Sequence, residues 1–170
     1  YDICDYGAIA DDGLDDQAAF NAANNDAKND SGSTVYFPEG TYNFSGRMIC
    51  EDNIRYVGDG MTDTILTATA SRSSTLRLME AWGHRVQVKD MSIVLTDEVD
   101  DGKPLLFGYK RDILFERVEI DDRLSTRSHS ILRLDDGTRT VVKDCRFYLN
   151  NSVIMGKTRG ARFDGCEFIG

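Results

Sequence analysis

The chain is short of cysteine, of positive charge and of long apolar runs, and each shortage narrows what it can be. Four cysteines in 170 residues are too few for a disulfide scaffold. Twenty basic side chains stand against 29 acidic ones, and the net charge of −9 disfavours nucleic acid as a partner. No apolar run approaches transmembrane length, so membrane insertion is not expected. There is a single tryptophan, Trp82. What remains is one domain, long enough for a sizeable core, with an acidic, solvated surface.

What the chain does have is a repeat. Val86–Ile93, Ile113–Ile120, Thr140–Phe147 and Ala161–Phe168 can be laid over one another, and Val88, Phe115, Val142 and Phe163 recur at intervals of 27, 27 and 21 residues. A second apolar piece precedes each of them: Leu76/Leu78, Leu105/Phe107, Leu132/Leu134 and Val153/Met155. Two pieces that keep step through unequal intervals mark a solenoid, one supersecondary unit stacked on the next. Apolar and polar residues alternate at period two, as in strands. The alternation breaks at Lys89-Asp90, Glu116-Arg117, Lys143-Asp144 and Asp164-Gly165, where both residues must face outward and the chain turns a corner. Three short strands and two corners per coil predict a right-handed parallel β-helix. Thr140 is the one polar residue among the assigned inward positions.

The outward positions carry charges that alternate up the stack: Lys89, Glu116, Lys143, Asp164; then Asp90, Arg117, Asp144; then Glu119, Arg146, Glu167. Neighbours about 4.8 Å apart prefer opposite signs. Each such exposed pair is worth a few tenths of a kcal/mol, roughly, and serves register more than stability. Cys145 and Cys166 fall on one inward column. They read as small buried hydrophobes, with a disulfide between coils as the alternative.

Ahead of the repeat, Asp15 or Asp16 can cap a helix through Gln17–Lys28, whose alanines 18, 19, 22, 23 and 27 make a shallow apolar face. Strands are predicted at Thr34–Phe37, Thr41–Phe44, Asn53–Val57 and Thr64–Leu66, with turns at Pro38-Glu39-Gly40 and Gly58-Asp59-Gly60. Residues 1–66 are read as cap and first coil, the latter holding Ile54 and Tyr56, and 67–170 as the remaining coils of one continuous domain. Asp5-Tyr6-Gly7-Ala8, the acidic turn Asp11–Asp16, the alanine-rich helix, Val35–Tyr42 and Val57–Gly60 together resemble the N-terminal signature of the pectate-lyase superfamily. Bacteriophage tailspikes and several secreted polysaccharide lyases and glycoside hydrolases share that signature. Ala10 departs from it, standing where the family usually has glycine. The resemblance implies the fold, with a helix plugging the open end of the stack; it does not by itself imply chemistry. The acidic turn offers oxygen ligands that calcium could use, but helix capping accounts for two of its four carboxylates and no metal site is assigned.

Two sets of loops are candidate sites. Those after the third strand are Val94–Pro104, which is acidic, Asp121–Ser130, which is mixed, and Tyr148–Ser152, which is neutral; paired carboxylates beside a basic group, as in the second, are what glycosidic cleavage requires. Asp121, Asp122, Arg127 and His129 are the catalytic candidates there; turn chemistry and solvation are the plainer reading of them. On the other face Trp82, Tyr109, Lys110 and Arg111 are candidates for binding carbohydrate, with a contact to a neighbouring subunit or a plain solvated edge as the alternatives. Gly170 directly follows the last strand, so the chain is expected to continue or to be covered by another subunit, in a fibre-like homotrimer. The function expected is a virion-associated or extracellular module that binds cell-surface polysaccharide. A secreted lyase or glycoside hydrolase and a purely structural virion protein are the alternatives. No cofactor is required, though a lyase would use calcium.

Overall fold

A computed structural model of the chain describes residues 1–68, 78–94, 106–108, 110–121, 123, 130–149 and 153–170. Among these residues a turn of 3-10 helix (Ile3–Tyr6) and one α-helix, α1 (Gln17–Ala27), precede fifteen short strands. The first five are β1 (Thr34–Phe37), β2 (Gly40–Phe44), β3 (Met48–Cys50), β4 (Arg55–Gly58) and β5 (Thr64–Ala68). Then come β6 (Met79–Ala81), β7 (Gln87–Val94), β8 (Leu106–Gly108), β9 (Leu114–Asp121) and β10 (Ser130–Thr138). The last five are β11 (Val141–Lys143), β12 (Arg146–Tyr148), β13 (Val153–Arg159), β14 (Arg162–Asp164) and β15 (Glu167–Ile169). Every pairing between them is parallel, each strand lying on its counterpart one turn on: a right-handed parallel β-helix.

The expected column is present. Val88 pairs with Phe115, Phe115 with Val142, and Val142 with Phe163. The first three are buried; Phe163, on the last rung, is 38% exposed. The column also runs further down, through Tyr56 to Val35, so the stack opens one turn before Ile54. The corners fall where the alternation breaks, and their second residues take the left-handed conformation: Asp90 (φ 56°), Arg117 (51°), Asp144 (51°) and Gly165 (63°). A second left-handed column, Asn53, Arg85, Asp112, Arg139 and Gly160, turns the chain out of the other sheet. Asp and Asn tolerate this region; for arginine it is a local cost that the stacked neighbours must outweigh.

Most rungs of the charge ladders form as expected, while Asp144 faces Lys143 at 3.6 Å rather than Arg117. Glu116 sits 3.2 Å from Lys89 below and 2.8 Å from Lys143 above. Arg117 donates to Asp90 at 2.9 Å, and Arg146 reaches both Glu119 (3.1 Å) and Glu167 (2.9 Å). Asp164 pairs with Arg162 of its own strand at 2.7 Å instead. Thr140 is buried, and among the described residues its Oγ1 has no hydrogen-bond partner. Cys145 and Cys166 are free thiols whose Sγ atoms donate to backbone carbonyls. Burial pushes the Cys145 thiol up to about 12.

Two expectations need correcting. The face of α1 that covers the mouth of the stack is Ala19, Phe20, Ala23 and Ala27, while Ala18 and Ala22 are exposed. Its anchor is Phe20, which lies 6.2 Å from Phe37 and Phe44 and 6.3 Å from Tyr56. Of the two expected caps it is Asp15 that accepts from Gln17 N–H, at 3.2 Å, whereas Asp16 makes no capping bond and ties Ile9 and Asn43 together.

The second correction concerns the sheet β13-β10-β8-β6-β3. Its register puts Met79 and Ala81 over Met48 and Cys50, then under Leu106 and Gly108, and these under Leu132 and Leu134. Ile154 and Gly156 complete the two rows. Only Leu132/Leu134 matches these rows; Leu78, Phe107, Val153 and Met155 are displaced by one, and Leu76 and Leu105 lie outside the described residues. A one-residue slip exchanges the two faces of a strand. Runs such as Leu78-Met79 and Leu106-Phe107 offer apolar residues to either face, so the alternation alone does not choose.

Candidate carbohydrate-binding cleft

The slip in register brings Glu80 to the outer face. It stands between the buried Met79 and Ala81, beside Ile49 of the rung below. Its carboxylate is almost fully covered, and Arg47, 44% exposed, reaches it at 3.6 Å. Arg47, Ile49 and Glu80, with Glu51 and Trp82, line a cleft of about 390 Å³. Trp82 is itself 44% exposed. Close packing of the chain puts it there: the Trp82 and Gly83 N–H groups both donate to the Cys50 carbonyl, and a Cβ on Gly83 would overlap the backbone at Glu51 and Asp52.

A second cleft of about 250 Å³ continues the first. It shares Arg47, Ile49 and Glu51 and is also lined by Asn21, Asn24 and Asn25 of α1. The floor between helix and sheet is a buried polar chain. Asn24 donates to the Ile49 carbonyl (2.9 Å), Tyr56 Oη donates to Asn24 Oδ1 (2.6 Å), and Glu51 N–H donates to Tyr56 Oη (2.8 Å). Burial holds the Tyr56 phenol far above its ordinary range, so it remains a donor.

The residues singled out from the sequence divide. Trp82 lines the cleft. Lys110 is half-buried and Arg111 exposed at the turn after β8, where the Arg111 carbonyl accepts from Arg85 N–H. Tyr109 lies outside the described residues. So do Asp122, Arg127 and His129, together with Asp97, Glu98, Asp100, Asp101, Asn150 and Asn151 of the neighbouring loops. Asp121 ends β9 of the ten-stranded sheet, whereas Trp82 follows β6 of the five-stranded one, so the two candidates belong to different sheets. Burial alone would raise the Asp121 carboxyl, but hydrogen bonds from Arg123 hold it below the usual range. That guanidinium lies 4.0 Å from the centre of the Tyr148 ring, so it covers the ring face there.

Arg47, Glu51, Glu80 and the helix asparagines were missed from the sequence. A signal existed for two of these: Glu80 interrupts an apolar strand, and Asn is a poor residue for the middle of a helix. In the acidic turn, Asp11, Asp12, Asp15 and Asp16 each accept from backbone N–H groups.

The chain matches, over residues 1–169, the family described as rhamnogalacturonase A/epimerase, pectate lyase-like. It belongs to that family. Among its relatives is the mannuronan C5-epimerase AlgE1 of Azotobacter vinelandii, 30% identical over 141 residues, 71% of this chain but 10% of that protein. The chain thus spans about a tenth of that relative's length. Of solved structures, the A-module of A. vinelandii AlgE4 superimposes with a TM-score of 0.69 at 18% identity, over 99% of this chain and 53% of that one. ORF18 of Geobacillus virus E2 does so at 0.54 and 20% identity, over 97% and 41%. At such identities the likeness is one of fold. No helix among the described residues is long and apolar enough to cross a membrane.

Proposed function

We propose that this chain is a polysaccharide-binding β-helix module, working in a virion-associated or extracellular fibre as a homotrimer, with the glycan seated in the cleft at Trp82. The observation that carries the reading is a half-exposed tryptophan directly after β6, lining a cleft with Arg47 and Glu51. An indole face packs on the apolar face of a sugar ring, while charged and amide groups beside it bond hydroxyls. Family membership supports polysaccharide as the ligand class; the virion setting draws support only from a fold shared with a phage protein. Titration with capsular and pectic polysaccharides tests the reading, with viscosity and unsaturated-sugar absorbance followed on the same samples. Saturable binding that is lost in Trp82→Ala, without product, is expected. Turnover, or binding indifferent to Trp82, overturns it. Light scattering checks the homotrimer.

One observation favours a second reading, a lyase or glycoside hydrolase: Glu51 and the buried Glu80 line one cleft, and glycosidic cleavage uses a pair of carboxylates. Turnover abolished by Glu80→Gln would decide for it. A lyase would also draw on calcium held by carboxylates, which binding alone does not require.

A further inference from the structure

Strand β3 is the last of its sheet among the described residues, and pairs there with β6 alone. On the β6 side Met48 N–H donates to the Leu78 carbonyl, and the Cys50 carbonyl accepts from Trp82 N–H. Backbone groups alternate in direction along a strand, so those of residues 47, 49 and 51 point to the other edge. A bare strand edge leaves polar groups unmet, and covered ones demand partners. Helix α1 supplies them. Gln17 Oε1 accepts from Gly46 N–H at 2.9 Å, and its Nε2 donates to the Arg47 carbonyl at 3.2 Å. Asn24 donates to the Ile49 carbonyl, and through Tyr56 it reaches Glu51 N–H. Two side-chain amides, two helical turns apart, thus stand where a neighbouring strand would.

The surrounding chain is shaped for these bonds. A Cβ on Gly46 would lie 2.9 Å from Gln17 Oε1 and 3.0 Å from its Cδ, too close for the amide to stay where it is. Asn21 Oδ1 accepts from Gln17 Nε2 at 3.0 Å, and Asp15 accepts from Ser45 N–H at 2.9 Å. Arg47, Ile49 and Glu51, the residues whose backbone is held in this way, each line both clefts.

We propose that Gln17 and Asn24 are positioning residues for the glycan cleft: by bonding the free edge of β3 they fix the wall formed by Arg47, Ile49 and Glu51, so that the docked helix and the bound polysaccharide stabilise each other. This rests on the polysaccharide-binding reading and adds a coupling to it. The two amides act through the strand. Coupling of this kind is reciprocal: loosening the helix edge weakens binding, and binding slows the opening of the helix.

The test titrates polygalacturonate, alginate and dextran into the wild-type chain, Trp82→Ala, Gln17→Met, Gln17→Glu and Gly46→Ala, with melting and amide exchange followed on each. Methionine fills the space of glutamine without its amide, and a Cβ on residue 46 displaces that amide. Both changes are expected to weaken binding about tenfold, the scale of one or two lost hydrogen bonds. Their midpoints should stay within about 4 °C of wild type. Glutamate keeps an acceptor for Gly46 N–H, so Gln17→Glu is expected to recover most of the affinity. Saturating polymer should slow amide exchange in α1 of the wild-type chain, and do so less in Gln17→Met. Wild-type affinity in Gln17→Met, with Trp82→Ala inactive, overturns the positioning role and leaves the cleft reading standing. So does a weakening that Gln17→Glu fails to recover, or one that comes with a midpoint lower by roughly 8 °C or more, which is general loss of fold. If the wild-type chain binds none of the polymers, or Trp82→Ala changes nothing, the cleft reading itself fails and this inference with it.

Discussion

Phe20 of the capping helix stacks on Phe37 of the first strand, ring centres 6.2 Å apart and planes 24° from parallel. That contact, more than the alanines around it, joins the helix to the mouth of the solenoid. Truncating a fully buried phenylalanine removes its transfer energy and leaves a cavity, together about 3–5 kcal/mol. Phe20→Ala should therefore lower the thermal midpoint by roughly 10 °C, taking about 2–4 °C per kcal/mol at this size. Ala22→Ser, on the exposed side, should stay within about 0.5 kcal/mol of wild type. Equal midpoints for the two variants would contradict the assignment.

Glu116 lies between Lys89 and Lys143, and hydrogen bonds from Lys143 and then Lys89 hold its carboxyl down to about 2. A depressed carboxyl contributes stability above its ordinary range, and loses it as pH falls through the folded value. Glu116→Gln should cost roughly 1 kcal/mol at neutral pH, the upper end for partly exposed pairs. The difference should shrink below pH 4 and vanish near pH 2, and added salt should reduce it. A penalty independent of pH would mean that packing, not charge, is responsible.

Gly58 ends β4 in close contact with its neighbours. A Cβ there would overlap the Asp90 carbonyl and Thr64, both part of the strand network. Gly58→Ala should destabilise by about 2–3 kcal/mol through overpacking. Gly13 has a positive φ of 72° but open space around it, so Gly13→Ala should cost only about 1 kcal/mol, the penalty of the left-handed region. Urea midpoints of the pair separate steric from conformational cost.

Tyr56 Oη bridges Asn24 of the helix and the Glu51 amide of the cleft. Tyr56→Phe leaves a buried acceptor and a buried N–H unmet, at about 1–3 kcal/mol. Amide exchange at Glu51 should quicken in this variant. An unchanged rate would show that the bridge does not hold the cleft floor.

Much of this architecture was legible in the chain. The interval of 27 residues placed Val88, Phe115 and Val142 in one column, and the broken alternation placed Asp90, Arg117 and Asp144 at corners. The Lys89–Glu116–Lys143 ladder followed from the same intervals. The cleft was not legible beyond Trp82. Arg47, Glu51 and Glu80 come from two different turns, and Asn21 and Asn25 from a helix that precedes both.

The sequence by itself determined that the chain winds into stacked parallel strands, because alternation at period two and a fixed interval are local signals that every rung repeats. Only the tertiary structure decided which side of β6 faces out. Leu78-Met79 satisfies either register, and the choice belongs to Met48 and Cys50 on the rung below, whose row Met79 and Ala81 extend. That choice turns Glu80 toward Arg47, and with it creates the cleft.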